Sequence, residues 1–112
     1  MNLRQIHHVA IIVSDYKKSR KFYVETLGFQ IIRENYRPSR GDYKLDLKLE
    51  GCELELFSAS GNPPRPSYPE ACGLRHLAFR VDDVDAAIAE LREKGIETEP
   101  VRVDEFTGKR MT

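Results

Sequence analysis

Residues 76–83 read HLAFRVDD, and residues 8–15 read HVAIIVSD. With one set over the other, His76 falls on His8, Ala78 on Ala10, Val81 on Val13 and Asp83 on Asp15, an offset of 68 residues. Each stretch is a short apolar run of strand type that ends in an acidic residue suited to cap a helix. The match continues downstream: a helical stretch stopped by a glycine, Gly28 in one case and Gly95 in the other with a one-residue slip, and then a further strand. Residues and order of elements repeat together, so the chain is internally duplicated.

The first copy can be read element by element. HHVAIIV (7–13) is a short buried strand. SDYKKSRKFYVETLG (14–28) is a helix opened by Ser14 or Asp15, with an apolar stripe of Tyr16, Phe22, Tyr23 and Leu27 whose spacing is only roughly helical. FQIIRENY (29–36) is a second strand and RPSRGD (37–42) a turn. YKLDLKLE (43–50) alternates strictly, with Tyr43, Leu45, Leu47 and Leu49 on one side and Lys44, Asp46, Lys48 and Glu50 on the other, as a half-buried antiparallel strand does. Gly51 turns the chain into CELELFS (52–58), a fourth strand with Leu54 and Leu56 on one face and Glu53, Glu55 and Phe57 on the other. The order is β-α-β-β-β, and ASGNPPRPSYPEACG (59–73) is too irregular to pack as an element.

The second copy, RHLAFRVDDVDAAIAELREKGIETEPVRV (75–103), reads as strand, helix, glycine stop and strand. The expected organisation is one domain: module one over about 4–60, a linker over 61–73, and module two over 74–112. A complete second copy would run to roughly residue 126, so the second module is expected to be truncated at the C-terminus, inside its hairpin. Asp82, Asp83 and Asp85 have the look of a metal cluster, but Asp82 or Asp83 is expected to cap the helix while the others favour its positive end.

Bulk properties exclude several classes. The 112 residues suffice for one domain with a modest core. Lys plus Arg and Asp plus Glu number 18 each, so formal net charge is zero and nothing favours nucleic acid or an anionic membrane as a partner. No run approaches the ~20 apolar residues of a membrane span, and MNLRQ lacks the apolar core of a signal peptide, so a cytoplasmic protein is expected. Cys52 and Cys72 have no metal-type spacing and read as free thiols. Arg37, Arg40 and Arg65 read as solvated loop charge rather than as anchors for an anionic substrate.

Adjacent residues on a strand point to opposite faces, so His7 and His8 cannot share one cavity along it. The repeat pairs His8, not His7, with His76. His7 then points away, towards packing or solvent. On the fourth strand Glu55 shares its face with Glu53 and Phe57, and that acidic face must meet water, cations or a metal. Two histidines and a carboxylate suit Zn²⁺, Ni²⁺, Co²⁺, Mn²⁺ or Fe²⁺.

HHVAIIVSD with KFYVETLGF, then ELELFS, then CGLRHLAFRVDDVDAAIAEL, together resemble the vicinal oxygen chelate superfamily over essentially the whole chain. That superfamily includes glyoxalase I, methylmalonyl-CoA epimerase, extradiol dioxygenases and the fosfomycin and bleomycin resistance proteins, and this sequence looks most like its small bacterial glyoxalase I-like members. The resemblance implies an α+β fold in which two βαβββ modules form a curved, open mixed sheet around a divalent metal ion. It implies His8, Glu55 and His76 as metal ligands. The fourth ligand of the family is a glutamate on the last strand after a DPDG-like turn, and this sequence ends before that motif.

The implied function is that of a metal-dependent lyase or isomerase of the glyoxalase I type, lactoylglutathione lyase-like. Such an enzyme acts on an α-hydroxycarbonyl or thiol-adduct small-molecule substrate through a metal-stabilised enediolate. Glu55 is the candidate base on this chain. The alternatives are another enzyme of the superfamily, an epimerase or dioxygenase, and a non-catalytic binding or resistance protein. A glutamate at position 55 tilts against the dioxygenases, which leave that strand position free. The metal set as a whole counts against the resistance proteins, which generally lack it. A homodimer is implied by the same resemblance.

Overall fold

A computed structural model describes residues 1–112. It consists of two compact units, Met1–Pro66 and Ser67–Thr112, and the boundary falls in the proline-rich connection.

The first unit contains β1 (His8–Ile12), α1 (Tyr16–Lys21, continued by a π-helical turn over Phe22–Thr26), β2 (Gln30–Arg37), β3 (Asp42–Leu49) and β4 (Cys52–Phe57). The strands form one mixed sheet in the order β1-β4-β3-β2. β1 runs parallel to β4, while β4 with β3 and β3 with β2 are antiparallel. The alternation in β3 and β4 decides which face is core. Leu45, Leu47, Leu54 and Leu56 are at most 1% exposed and join Val13 as the buried cluster. They stand in cross-strand rows, Leu45 opposite Leu56 and Leu47 opposite Leu54, and β1 extends these rows with Ile11 and Val9. The helix supplies Tyr16, Tyr23 and Val24 to the same face, so α1 covers the leucines and leaves the opposite, polar face of the sheet uncovered by it.

The helical stripe differs from the expected one. Tyr16, Tyr23, Val24 and Phe29 pack on the leucines in place of Tyr16, Phe22, Tyr23 and Leu27. The cause is the π-helical turn, in which the Leu27 N–H donates to the Phe22 carbonyl at 2.9 Å. One turn then holds an extra residue, and every later side chain is rotated away from the 3.6-residue pattern.

The cap is Asp15 rather than Ser14: its carboxylate accepts from the Lys18 N–H at 3.0 Å. Asp15→Ala is therefore expected to cost about 1 kcal/mol and Ser14→Ala much less, a comparison that urea denaturation of the two variants decides. Glu34 on β2 ties the helix down by accepting from the Tyr16 hydroxyl and from Arg20 Nε (2.9 Å) and Nη2 (3.2 Å). Arg37 also corrects its expectation. It closes β2 instead of lying in a loop, and its Nε donates to Asp42 Oδ1 at 2.6 Å with a second bond from Nη2, a two-pronged pair.

The second unit contains α2 (Val84–Glu93) and a short ladder of β5 (Arg102–Val103) with β6 (Arg110–Met111). Asp83 caps α2 by accepting from the Ala86 N–H at 3.0 Å. Asp85 sits in the first turn and holds the guanidinium of Arg110 at 2.6 and 2.8 Å. The aspartate run is thus helix-start chemistry, as its spacing indicates. The strand expected from His76 to Val81 is not formed, because the only ladder of this unit is β5 with β6. β1 in the first unit owes its strand character to β4, since a single extended segment has no ladder to close. The strand before the β5–β6 turn is only two residues long, and Pro100 just ahead of it has no N–H to donate. Both cysteines are free thiols, and no helix is long and apolar enough to cross a membrane.

Candidate metal centre

Strand register assembles the polar face of the first unit. Beside β4, β1 places His8 next to Glu53 and Ala10 next to Glu55. Across from β4, β3 places Asp46 opposite Glu55, Lys44 opposite Phe57 and Lys48 opposite Glu53. β2 places Arg33 opposite Asp46. One row therefore runs Ala10, Glu55, Asp46, Arg33, with two carboxylates side by side. Like charges directly opposite each other destabilise a sheet, and here Lys44 compensates them. Its Nζ donates to Glu55 Oε1 at 2.9 Å and stands 2.8 Å from Asp46 Oδ1. The latter contact is an ion pair by distance but lies off the angle of a directed hydrogen bond. Asp46, fully buried, also accepts from Arg33 Nε through its other oxygen, and Arg33 reaches on to Glu53 at 3.7 Å.

Burial alone would push the Asp46 carboxyl up. The close ammonium of Lys44, with the hydrogen bond and charge of Arg33, outweighs it and holds the group below the ordinary aspartate range. For Lys44 burial works downward, and the two carboxylates reverse it, so the ammonium is held more firmly than a free lysine. The ring of Phe57 borders the cluster, with the Arg37 guanidinium 4.8 Å and Lys44 Nζ 5.6 Å from its centroid.

Of the residues singled out from sequence, His8 and Glu55 meet here: His8 Nε2 lies 3.9 Å from Glu55 Oε2. Two ligands of one transition metal, each about 2.1 Å from it, stand about 3.0–3.4 Å apart. A small side-chain rotation closes the difference, so the pair fits a shared ion. The second nitrogen of His8 fits as well. Its Nδ1 lies 2.9 Å from His7 Nδ1, and in the tautomer in which His8 donates there, Nε2 carries no proton, the form a metal-binding histidine needs. His7 is exposed and packs edge-on against the Nδ1 side of His8, centroids 5.2 Å apart, in line with the packing or solvent contact expected of it. His76 lies in the second unit and is exposed. Within each unit no cluster of three His, Cys, Asp or Glu side chains is close enough to hold an ion.

Sequence reasoning missed Lys44, Asp46 and Arg33. A signal for the first two exists. If Glu50 and Gly51 form a two-residue turn, Leu49 faces Cys52 and the register carries Asp46 to Glu55 and Lys44 to Phe57. The bulge in β2 between Ile31 and Arg33 has no such signal, so Arg33 is not accessible in the same way.

The sequence model of the Glyoxalase/Bleomycin resistance protein/Dioxygenase superfamily matches residues 5–112. The chain belongs to this superfamily. Two similar proteins are covered by this chain over most of their own length. The uncharacterised protein YwkD of Bacillus subtilis is 61% identical over all of this chain and 88% of its own length. The crystal structure of the glyoxalase family protein from Enterococcus faecalis, 59% identical, superposes with a TM-score of 0.91 over 98% of this chain and 87% of that one. Relatives with named activities are more distant. Human methylmalonyl-CoA epimerase is 31% identical over 85% of this chain, which spans only 56% of that enzyme. A probable lactoylglutathione lyase of Synechocystis is 31% identical over 79% of this chain and 68% of its own length. The α+β arrangement with its mixed four-stranded sheet is thus the superfamily fold.

Proposed function

We propose that this superfamily member is a metal-dependent lyase or isomerase that moves a proton at carbon next to a carbonyl, with an α-hydroxycarbonyl or thiol-adduct substrate as in lactoylglutathione lyase. The observation that carries the reading is the approach of His8 Nε2 to Glu55 Oε2 on the polar face of the sheet. His76 is proposed as the third ligand from its place in the repeat and from the family resemblance. A divalent cation held by these residues supplies Lewis-acid stabilisation of negative charge on the carbonyl oxygen. The chain's own part is to orient and to move the proton. His7 packs against the His8 ring, Lys44 takes up one oxygen of Glu55, and the remaining oxygen, Oε2, faces the site as ligand or, when off the cation, as candidate base. Phe57 beside it gives the substrate an apolar wall.

An epimerase reading shares this chemistry and is favoured by the likeness to methylmalonyl-CoA epimerase. Both begin by removing a proton α to a carbonyl, and they differ in its return: to the neighbouring carbon in the lyase, to the opposite face of the same carbon in the epimerase. A homodimer in the cytoplasm remains part of the proposal by resemblance.

Metal content after exhaustive dialysis tests the ligand set. The wild-type protein is expected to retain a divalent transition metal, and His8→Ala and His76→Ala to lose it. Metal retained by both variants would sink the assignment. Assay of the metal-loaded protein on a methylglyoxal–thiol adduct and on methylmalonyl-CoA then separates the two readings: turnover of the adduct supports the lyase, stereochemical scrambling of the thioester the epimerase, and turnover of neither overturns both.

A further inference from the structure

We propose that Lys44, seated on the buried Asp46, makes Glu55 a one-oxygen ligand by occupying Oε1 and leaving only Oε2 for the cation. The inference rests on the reading of His8 and Glu55 as metal ligands. It is carried by three contacts: Lys44 Nζ to Glu55 Oε1 at 2.9 Å, Lys44 Nζ to Asp46 Oδ1 at 2.8 Å, and Glu55 Oε2 facing His8 Nε2 at 3.9 Å.

A carboxylate with two free oxygens can close on a cation with both, and ions that prefer many oxygen donors, such as Ca²⁺, use this mode. A charge-assisted hydrogen bond to one oxygen removes that option. For Lys44 to serve so, it must not swing into solvent. Asp46 prevents this, because its carboxylate is fully buried and is itself held by Arg33. The order of dependence is Arg33 to Asp46, Asp46 to Lys44, Lys44 to Glu55. Asp46 touches neither His8 nor the face of Glu55 turned to it, so Lys44 and Asp46 are positioning residues. Their effect is to tune the site to ions that accept imidazole with single carboxylate oxygens, such as Co²⁺, Ni²⁺ and Zn²⁺, over ions that need chelating carboxylates.

Co²⁺ provides the test, since its visible absorption reports coordination number independently of any reaction. The full chain is titrated with Co²⁺ as wild type, Lys44→Arg, Lys44→Met and the double variant Lys44→Met/Asp46→Asn, each first shown to be folded by thermal unfolding. Lys44→Met is expected to strengthen Co²⁺ binding ~10–100-fold, the usual scale of changing an outer partner of a ligand, because a cation leaves the site and Glu55 gains a second free oxygen. Its spectrum is also expected to lose intensity as Glu55 closes with both oxygens and the coordination number rises. Lys44→Arg, which keeps charge and donors, should hold the wild-type spectrum. The double variant removes the acid that Lys44→Met leaves unpaired, so it guards against misfolding and should reproduce the Lys44→Met spectrum. A Lys44→Met protein with wild-type affinity and spectrum overturns the proposal. Failure of the ligand assignment looks different: His8→Ala and Glu55→Gln would then bind Co²⁺ as the wild type does.

Discussion

Leu54→Ala is expected to destabilise the first unit by about 2–5 kcal/mol, read as a fall in the urea midpoint at unchanged denaturant slope. Leu54 is 1% exposed and stands mid-row, between Val9 on β1 and Leu47 on β3. Truncation removes a full aliphatic side chain from water-free surroundings and leaves a hole that strands paired on both sides cannot close. The helix adds to the rigidity from above, through Tyr16, Tyr23 and Val24. An exposed position on the same unit offers no such constraint and should shift by no more than ~0.5 kcal/mol. A loss below ~1 kcal/mol for Leu54→Ala would mean that the leucine rows are not the cooperative core.

Those rows are legible in the sequence because the pleat has a period of two and β3 and β4 obey it strictly. The parallel pairing of β1 with β4 is legible only through the family, since nothing local sets the partner of a strand so distant in the chain. The helix start is readable from Asp15 and the helix stop from Gly28, whose φ of +79° suits glycine. The π-helical turn between them is not, because no residue type marks it, and the loose spacing of Tyr16, Phe22 and Tyr23 is its one trace. In the second unit the repeat locates α2 and its cap correctly. It overstates the strand at 76–81, because similarity of residues says what could pair and not whether a partner is there.

The site divides along the same line. The pleat accounts for Glu53 and Glu55 sharing a face and the repeat for singling out His8, while the choice of Glu55 over Glu53 comes from the family resemblance. Lys44 and Asp46 are hidden by the ordinary logic of a half-buried strand, which sends charged residues to solvent. Asp46 is instead fully buried, because a carboxylate row across β2, β3 and β4 carries its own cations, Arg33 and Lys44. Alternation sends His7 away from the site, and its ring packs on the Nδ1 side of His8 while its carbonyl accepts from the Glu53 N–H at 3.0 Å beside β4.

Asp46→Asn is the variant that exposes this network, and it is expected to cost about 2–3 kcal/mol near neutral pH. The amide matches the carboxylate in size, so no cavity opens, and the loss is electrostatic. Arg33 and Lys44 lose their shared counterion, which favours the upper end. Relief of the repulsion between Asp46 and Glu55, together with the solvent reach of Arg33, keeps the cost below that of a sealed ion pair. The groups that face Asp46 are Lys44 on its own strand, Glu55 on β4 and Arg33 on β2, with Glu53 behind Arg33.

These surroundings also set the pH dependence. The folded carboxyl of Asp46 lies below its unfolded value of ~3.9. Its contribution is therefore complete above that pH and is lost as pH falls through the folded value. The wild type should lose stability on acidification below about pH 4, and Asp46→Asn should lose less, so the gap between the two closes towards acid. Asp42 and Glu34 are held low in the same way, by hydrogen bonds from Arg37 and Arg20 respectively, and they preserve part of the acid limb in both proteins. Urea midpoints measured from about pH 7 to about pH 3 decide the matter. A gap that stays constant or widens in acid would show that Asp46 is not the buried anion of the cluster, and the anchoring of Lys44 would fall with it.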